Sequence, residues 1–174
     1  MSQRERFTAE ISTDEFIEKY FRGDEVLEKC RECPSFSKTW SCPAFDFDPI
    51  EYWRSFNTYK VICDRLFLCG ADTPEEAEKI LCREKSLFDG EMLAVEKSSP
   101  GSAALYAAKC RLCSVCSRTL GLPCRLPDKM RYSVESLGGL GVSMVEDLFG
   151  FGVMWSEGSS VPPYYILLGG LLKV

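Results

Sequence analysis

The chain has 174 residues, of which 45% are hydrophobic and 27% charged, and a net charge of −5 at pH 7. This balance is typical of a globular domain, and the lack of a block of lysines and arginines argues against nucleic-acid binding. Ten cysteines and no histidine are present, which excludes histidine-ligated zinc or haem and Ser-His or Cys-His catalysis within the chain.

The start of the chain has no apolar stretch typical of a secretory signal, and the longest apolar run, Tyr164–Val174, is too short to span a bilayer. We therefore expect a cytoplasmic protein without a membrane span. Cytoplasmic thiols stay reduced, so closely spaced cysteines favour metal binding over disulfides. Thiolates would then be the main ligands, because no imidazole is available.

The first half of the chain contains four recognisable segments. In chain order, the pattern predicts a short amphipathic helix over 12–22, an irregular loop over 28–49, a short helix over 50–56 and a strand over 59–70. The loop has three prolines and three cysteines but no hydrophobic period, so something other than a strand ladder must hold it.

In the second half of the chain, the pattern predicts a long helix from 74 to about 88, which could extend past Gly90. It continues with a strand or helix end at 102–108, a helical turn within 127–141, a helix over 143–150, and two strands at 152–156 and 163–174 that could pair as a hairpin. We therefore predict an α/β or α+β fold, with a single small mixed domain over residues 1–174. Two cysteine-rich loops, at 28–49 and 109–127, would bind metal.

The cysteine spacing at 109–127 is the most specific signal in the chain. Cys110, Cys113, Cys116 and Cys124 form a C-x2-C-x2-C-x7-C pattern. Three thiols separated by two residues each can wrap one small inorganic group. Zinc prefers two separate C-x2-C pairs, so the third closely spaced thiol favours a [4Fe–4S] cluster over zinc.

A weaker pattern lies at 28–49, where Cys30, Cys33 and Cys42 form C-x2-C-x8-C followed by a proline. Only three thiols are local, and a cluster held by three thiolates keeps an open iron that can bind a substrate. A zinc site is the alternative. The candidates for a fourth ligand are Cys63, Cys69 and Cys82, with Cys63 ranked first and plain core burial as the ordinary role of all three.

The two motifs together resemble the DUF2284 family of predicted metal-binding proteins. The pattern is C-x2-C…W-x-C-P over 30–43 and C-R-L-C-x2-C…P-C-R-x-P…R-x-S-x-E-x-x-G over 110–138. The resemblance extends from about residue 25 to the end of the chain. It implies a small cytoplasmic cysteine-ligated metalloprotein of anaerobic bacteria or archaea, with iron–sulfur as the expected cofactor. The chain departs from the family pattern at Ala44 and at Lys109, but neither departure removes a thiol.

Four residues besides the cysteines match this resemblance: Arg125, Arg131, Ser133 and Glu135. We expect them to support the site rather than to react. Ser133 could cap the turn that Glu135 follows. Arg125 could pair with the negative charge of a thiolate-bound cluster or with Glu135.

Three functions are compatible with this sequence. The first is electron transfer through one or two [4Fe–4S] clusters to a redox partner protein, which the net negative charge would lead us to expect to be basic. The second is an enzyme or accessory protein with an open iron at the first motif. The third is a structural zinc protein that binds other proteins. No pair of carboxylates and no phosphate-binding loop supports a more definite reaction.

Overall fold

The computed structural model describes residues 3–174, and an antiparallel sheet of four strands lies at its centre. The spatial order of the strands is β1-β2-β4-β3, and they are β1 (Gln3–Ser12), β2 (Thr58–Phe67), β3 (Ser102–Leu105) and β4 (Tyr164–Lys173). Over this described range the fold also contains five α-helices: α1 (Thr13–Tyr20), α2 (Gly23–Arg31), α3 (Pro49–Arg54), α4 (Pro74–Lys97) and α5 (Gly141–Phe149). The fold is the single small mixed α/β domain that the sequence predicted.

The central strand β2 pairs along its full length with both β1 and β4. Close contact with β4 depends on glycine. Gly170 has φ +141, and a Cβ there would lie 2.1 Å from the carbonyl oxygen of Lys60. The neighbouring Gly169 accepts a hydrogen bond from the hydroxyl of Tyr59 at 2.8 Å. The Gly169–Gly170 pair therefore lets the buried Tyr59 ring lie against the strand.

The sheet has an apolar core on each face. On one face the ring of Phe16 in α1 stacks on Trp53 in α3, with a centroid distance of 3.8 Å. The indole N–H of Trp53 donates to the carbonyl of Leu137 at 2.9 Å. On the other face, α4 packs through Phe88 and Met92 against β3 and β4. Both faces are therefore covered, and the cysteine-rich segments extend from them.

Predictions with a strong local signal are confirmed. Thr73 begins α4 with a capping box, in which its hydroxyl accepts from the N–H of Glu76 and the Glu76 carboxylate accepts in return. The predicted strand at 59–70 corresponds to β2, and the helix predicted at 143–150 corresponds to α5, which ends at Gly150 with φ 75. Of the helices within residues 3–174, none has the length and apolar content needed to cross a bilayer.

Two strand predictions need correction. Residues 152–156 form no strand, and β4 pairs with β2 and β3 instead of closing a hairpin with them. Strand β1 was not predicted because arginines and glutamates occupy much of it. It forms because Arg6 reaches across to the buried carboxylate of Asp64 on β2, with an Nε–Oδ1 distance of 2.6 Å.

One helix was missed, and another takes the longer of its two predicted extents. Helix α2 was not predicted, and it carries Cys30 in its last turn, so the irregular segment begins after Arg31. Its polar sequence buries only Val26, which explains the weak hydrophobic signal. Helix α4 runs beyond Gly90 to Lys97.

Candidate metal centre

The three cysteines of the first motif line one cavity of about 640 Å³. Cys30 ends α2, and a tight turn follows in which the N–H of Cys33 donates to the carbonyl of Cys30 at 3.0 Å. Another turn places Cys42, whose N–H donates to Thr39 at 3.1 Å. Burial, followed by the neighbouring Cys42 and Cys33 thiols, raises the pKa of Cys30. The turns therefore bring three thiols that are spread over the irregular segment to one wall.

All four cysteines of the second motif line another cavity, of about 410 Å³. A single 3₁₀ turn, Ser117–Leu120, follows Cys116 and ends at Gly121, which has φ 68. The Ser117 hydroxyl donates to the carbonyl of Pro123 at 2.7 Å. This turn reverses the chain and places Cys124 at the cavity that the other three thiols line.

Burial is the main influence on the first thiol of this second group. It raises the pKa of Cys110, and the backbone N–H of Leu112 opposes that rise. Metal ligation requires the thiolate, so metal binding at Cys110 would release a proton.

The two cysteine segments are hydrogen-bonded to each other. The backbone N–H of Cys110 donates to the hydroxyl of Ser41 at 2.9 Å. The ammonium of Lys109 donates to the hydroxyl of Ser35 at 2.8 Å. Ser35, Lys109 and Arg111 line both cavities, so the two sites share a wall.

Arg118 forms a second link between the segments. Its guanidinium donates to the carbonyl of Thr39 at 2.8 Å and also to the carbonyls of Cys42 and Ala44. It lies 5.1 Å from the ring centroid of Trp40. Three carbonyls bound by one guanidinium fix the path of the first segment against the second.

Two of the four additional matching residues lie at the first cavity. Ser133 and Glu135 line it, and Ser133 forms a reciprocal pair with Ser136, whose N–H donates to the Ser133 hydroxyl at 3.1 Å. Glu135 as a residue keeps solvent-exposed surface at the cavity. Its carboxyl group is surrounded by protein atoms, and this burial raises the pKa of the carboxyl. Glu135 therefore lies at the same cavity as the thiols of the first group.

The other two matching residues lie elsewhere. Arg131 forms an ion pair with Glu96, with an Nε–Oε2 distance of 2.6 Å. Arg125 is exposed and donates to the carbonyl of Val115 at 3.3 Å. The structure therefore shows no pairing of Arg125 with Glu135.

The three remaining cysteines have different surroundings. Cys63 is fully buried in β2 within the apolar core, and burial raises its pKa to about 12. Cys69 is exposed. The thiol of Cys82 lies 3.3 Å from a carboxylate oxygen of Glu78 and contacts Arg111. None of the three lines either cavity, so we do not include Cys63 among the ligands proposed below.

Sequence reasoning missed a buried ion pair within α4, beside the first cavity. Lys85 and Asp89 form it, and Asp89 also accepts from the N–H of Ala107 at 2.9 Å. Burial raises the pKa of Asp89, against the opposing effect of Lys85. The i, i+4 spacing of the two residues on one helix face was the available signal, but nothing local indicates that this face is buried.

All ten cysteines are free thiols. Within residues 3–174, no three cysteine, aspartate or glutamate side chains come close enough to hold a single metal ion. The arrangement instead consists of two sets of thiols, each lining a cavity.

One comparison identifies relatives of this chain. The family described as predicted metal-binding protein (DUF2284) matches residues 17–168, nearly the whole chain. No curated protein and no solved structure matches it.

Proposed function

The chain belongs to the DUF2284 family of predicted metal-binding proteins, and we propose that it is an iron–sulfur protein that exchanges electrons with a partner protein. It would hold two [4Fe–4S] clusters, one at each cysteine group. Such clusters accept and donate electrons at potentials that the surrounding protein tunes.

The observation that carries this proposal is the convergence of Cys110, Cys113, Cys116 and Cys124 on one cavity of about 410 Å³. Four thiolates are the ligand set of a [4Fe–4S] cluster. A structural zinc ion also accepts four thiolates, but it binds them at about 2.3 Å and would fill little of this space. The third closely spaced thiol of the C-x2-C-x2-C spacing and the size of the cavity together favour the larger group.

At the first cysteine group the same argument gives a different ligand count. Only Cys30, Cys33 and Cys42 among the ten cysteines line that cavity. Three thiolates would leave one iron without a protein thiolate. This favours a second candidate function, in which the first site binds a small molecule rather than only relaying electrons.

The shared wall supports a functional connection between the sites. Lys109 and Arg111 lie between the two cavities, where their positive charge would stabilise the negative charge of thiolate-bound groups on either side. The Ser41–Cys110 hydrogen bond fixes the separation of the two segments. We therefore propose that the two sites work as a pair.

The charge around the second site indicates the kind of partner. Residues 109–131 contain six lysines and arginines and one aspartate, although the whole chain carries −5. Four large aliphatic residues in this segment are exposed: Leu112, Val115, Leu120 and Leu122. Arg125 and Lys129 are exposed in this segment; together with the apolar side chains they form a basic face that fits an acidic partner surface. This replaces the basic partner that the net charge suggested.

Reversible reduction tests this function. Anaerobically purified protein is titrated electrochemically while its absorbance near 400 nm is followed. We expect reversible bleaching that takes up about two electrons per chain, one for each cluster. A protein that contains iron but shows no reversible couple would contradict an electron-transfer role.

A further inference from the structure

The first cavity extends well beyond the three thiols. Its far walls are apolar and come from α5, from β4 and from the irregular segment 150–163, and they include Val142, Val145, Leu168 and Trp155. A volume of about 640 Å³ falls within the range of small-molecule binding sites. Trp155 is 69% exposed, so a large aromatic surface is available at the edge of the cavity.

Three cations lie towards the thiol end of this cavity, and two of them are already paired. Lys85 forms the buried ion pair with Asp89. Arg111 lies 3.5 Å from a carboxylate oxygen of Glu78.

Lys109 differs from these two. Among the described residues, its hydrogen-bond partner is the neutral hydroxyl of Ser35 at 2.8 Å. A half-buried ammonium with only a hydroxyl partner is an attractive site for an anion.

Of the two acids that line the cavity, Glu78 lies beside Arg111, and Glu135 does not supply that anion either. Glu135 hydrogen-bonds with Ser133, and a Cβ at Gly141 would lie 2.3 Å from its Oε1, so its carboxyl packs closely against the first residue of α5. Among the described residues, the ammonium of Lys109 bonds to the Ser35 hydroxyl and not to Glu135.

We infer that this cavity binds a small organic carboxylate with an aromatic or aliphatic body, whose carboxylate contacts Lys109 and whose body packs on the Val142–Trp155 side. The inference rests on the proposed function only in placing iron beside this ligand. The cavity and its charges stand without the iron.

Three probes with one body and different head groups test this inference. They are 2-naphthoate, 2-naphthylmethanol and 2-naphthylmethylammonium, titrated into the anaerobic protein by isothermal calorimetry. We expect 2-naphthoate to bind about tenfold more tightly than the alcohol, because it gains one charge-assisted hydrogen bond. The ammonium probe should bind most weakly. Equal or tighter binding of the ammonium probe would overturn the inference.

Two variants locate the site. Lys109→Met should reduce 2-naphthoate affinity about tenfold, to that of the alcohol, and leave the alcohol unchanged. Val142→Trp should weaken all three probes by filling the apolar part; Val142 is already partly exposed, so a larger side chain there should not prevent folding. The matched controls are Lys79→Met and Leu87→Trp, at exposed positions of α4 that do not line the cavity. Unchanged 2-naphthoate binding in both test variants would also overturn the inference.

Iron content measured on every sample separates this inference from the proposed function. Head-group selectivity in a protein that holds no iron would support the carboxylate site and contradict the cluster assignment. A protein with a full iron load that binds none of the probes would support the cluster assignment and contradict the carboxylate site. If Lys109→Met lost iron but kept its preference for 2-naphthoate, Lys109 would serve the metal site and the inference would be wrong.

Discussion

The backbone N–H of Cys110 donates a 2.9 Å hydrogen bond to the side-chain oxygen of Ser41. Ser41 is 1% exposed and directly precedes Cys42. One hydroxyl therefore connects the last thiol of the first group with the first thiol of the second. The two cysteine groups are consequently parts of one structure, although 69 residues separate the bonded pair in sequence.

The first prediction concerns this hydroxyl. Ser41→Ala leaves the partly buried N–H of Cys110 without its partner, which should cost about 1–3 kcal/mol of stability. We expect faster iron loss to a chelator from both sites, because each segment holds the other. Ser114→Ala, at an exposed serine of the second segment, is the control. If iron loss were confined to one site, the two segments would not be coupled.

The second prediction concerns the ligands of the second group. Cys113→Ser should lower the iron content from about eight to about four atoms per chain. It should also lower the melting temperature, because metal binding and folding are linked. Metal analysis and thermal unfolding measure the two effects. Cys69→Ser alters an exposed cysteine outside both cavities and should change neither value. An unchanged iron load in Cys113→Ser would remove this residue from the ligand set.

The third prediction concerns the buried thiol of Cys63. Burial raises its pKa to about 12, so at pH 8 only about one molecule in 10⁴ carries the reactive thiolate. Iodoacetamide should therefore modify the exposed Cys69 in the folded protein and reach Cys63 only after unfolding. Mass spectrometry of the alkylated peptides measures this difference. Rapid modification of Cys63 in folded protein would contradict its place in the core.

The same thiol gives a pH dependence, which is our fourth prediction. Above pH 9 the unfolded chain loses this proton while the folded chain keeps it, so folding stability falls as the pH rises from about 9 towards 12. Below pH 9 the thiol is protonated in both states, so its contribution to folding stability is fully present. Cys63→Ala lacks the effect, so the stability difference between wild type and this variant should narrow between pH 8 and pH 10. A constant difference across that range would show that the thiol ionises equally in both states.

The fifth prediction concerns the basic face around the second site. Electron exchange with the anion ferricyanide should slow as salt is added, and exchange with the cation hexaamminecobalt(III) should not, because salt screens attraction and repulsion alike. Arg125→Glu should weaken the salt dependence for ferricyanide. Arg54→Glu reverses an exposed charge on α3, outside residues 109–131, and serves as the control. Equal salt dependence for both reagents would argue against a basic docking face.

Several parts of the fold were predictable because their signals are local. The Thr73–Glu76 capping box marks the start of α4, and the β-branched and aromatic residues of 59–67 mark β2. The spacing of the cysteines likewise identifies the second group. In each case, residues within a few positions of one another determine the structure.

The parts that were missed depend on partners distant in sequence. The charged strand β1 requires Asp64 on β2. Residues 152–156 resemble a strand, but Phe151, directly before them, packs on the ring of Phe7 with a centroid distance of 4.8 Å and on Arg65. These contacts hold the segment against the sheet without a ladder.

The site shows the same division. Cysteine spacing predicted two groups of thiols, and each group lines one cavity. Metal binding by these thiols stays a prediction. Neither the shared wall at Lys109 nor the apolar extension of the first cavity has a local signal, since the Lys109–Ser35 bond spans 74 residues. Cys63 was ranked first as an extra ligand because of its position in sequence, but its side chain is buried in the apolar core.

The most direct measurement is the number of iron and acid-labile sulfide atoms per chain in protein purified without oxygen, together with its absorption spectrum. Two clusters predict about eight of each per chain and a brown protein that absorbs near 400 nm. About four of each would leave only one site occupied by a cluster. A colourless protein that contains zinc and no sulfide would contradict the account at both cysteine groups.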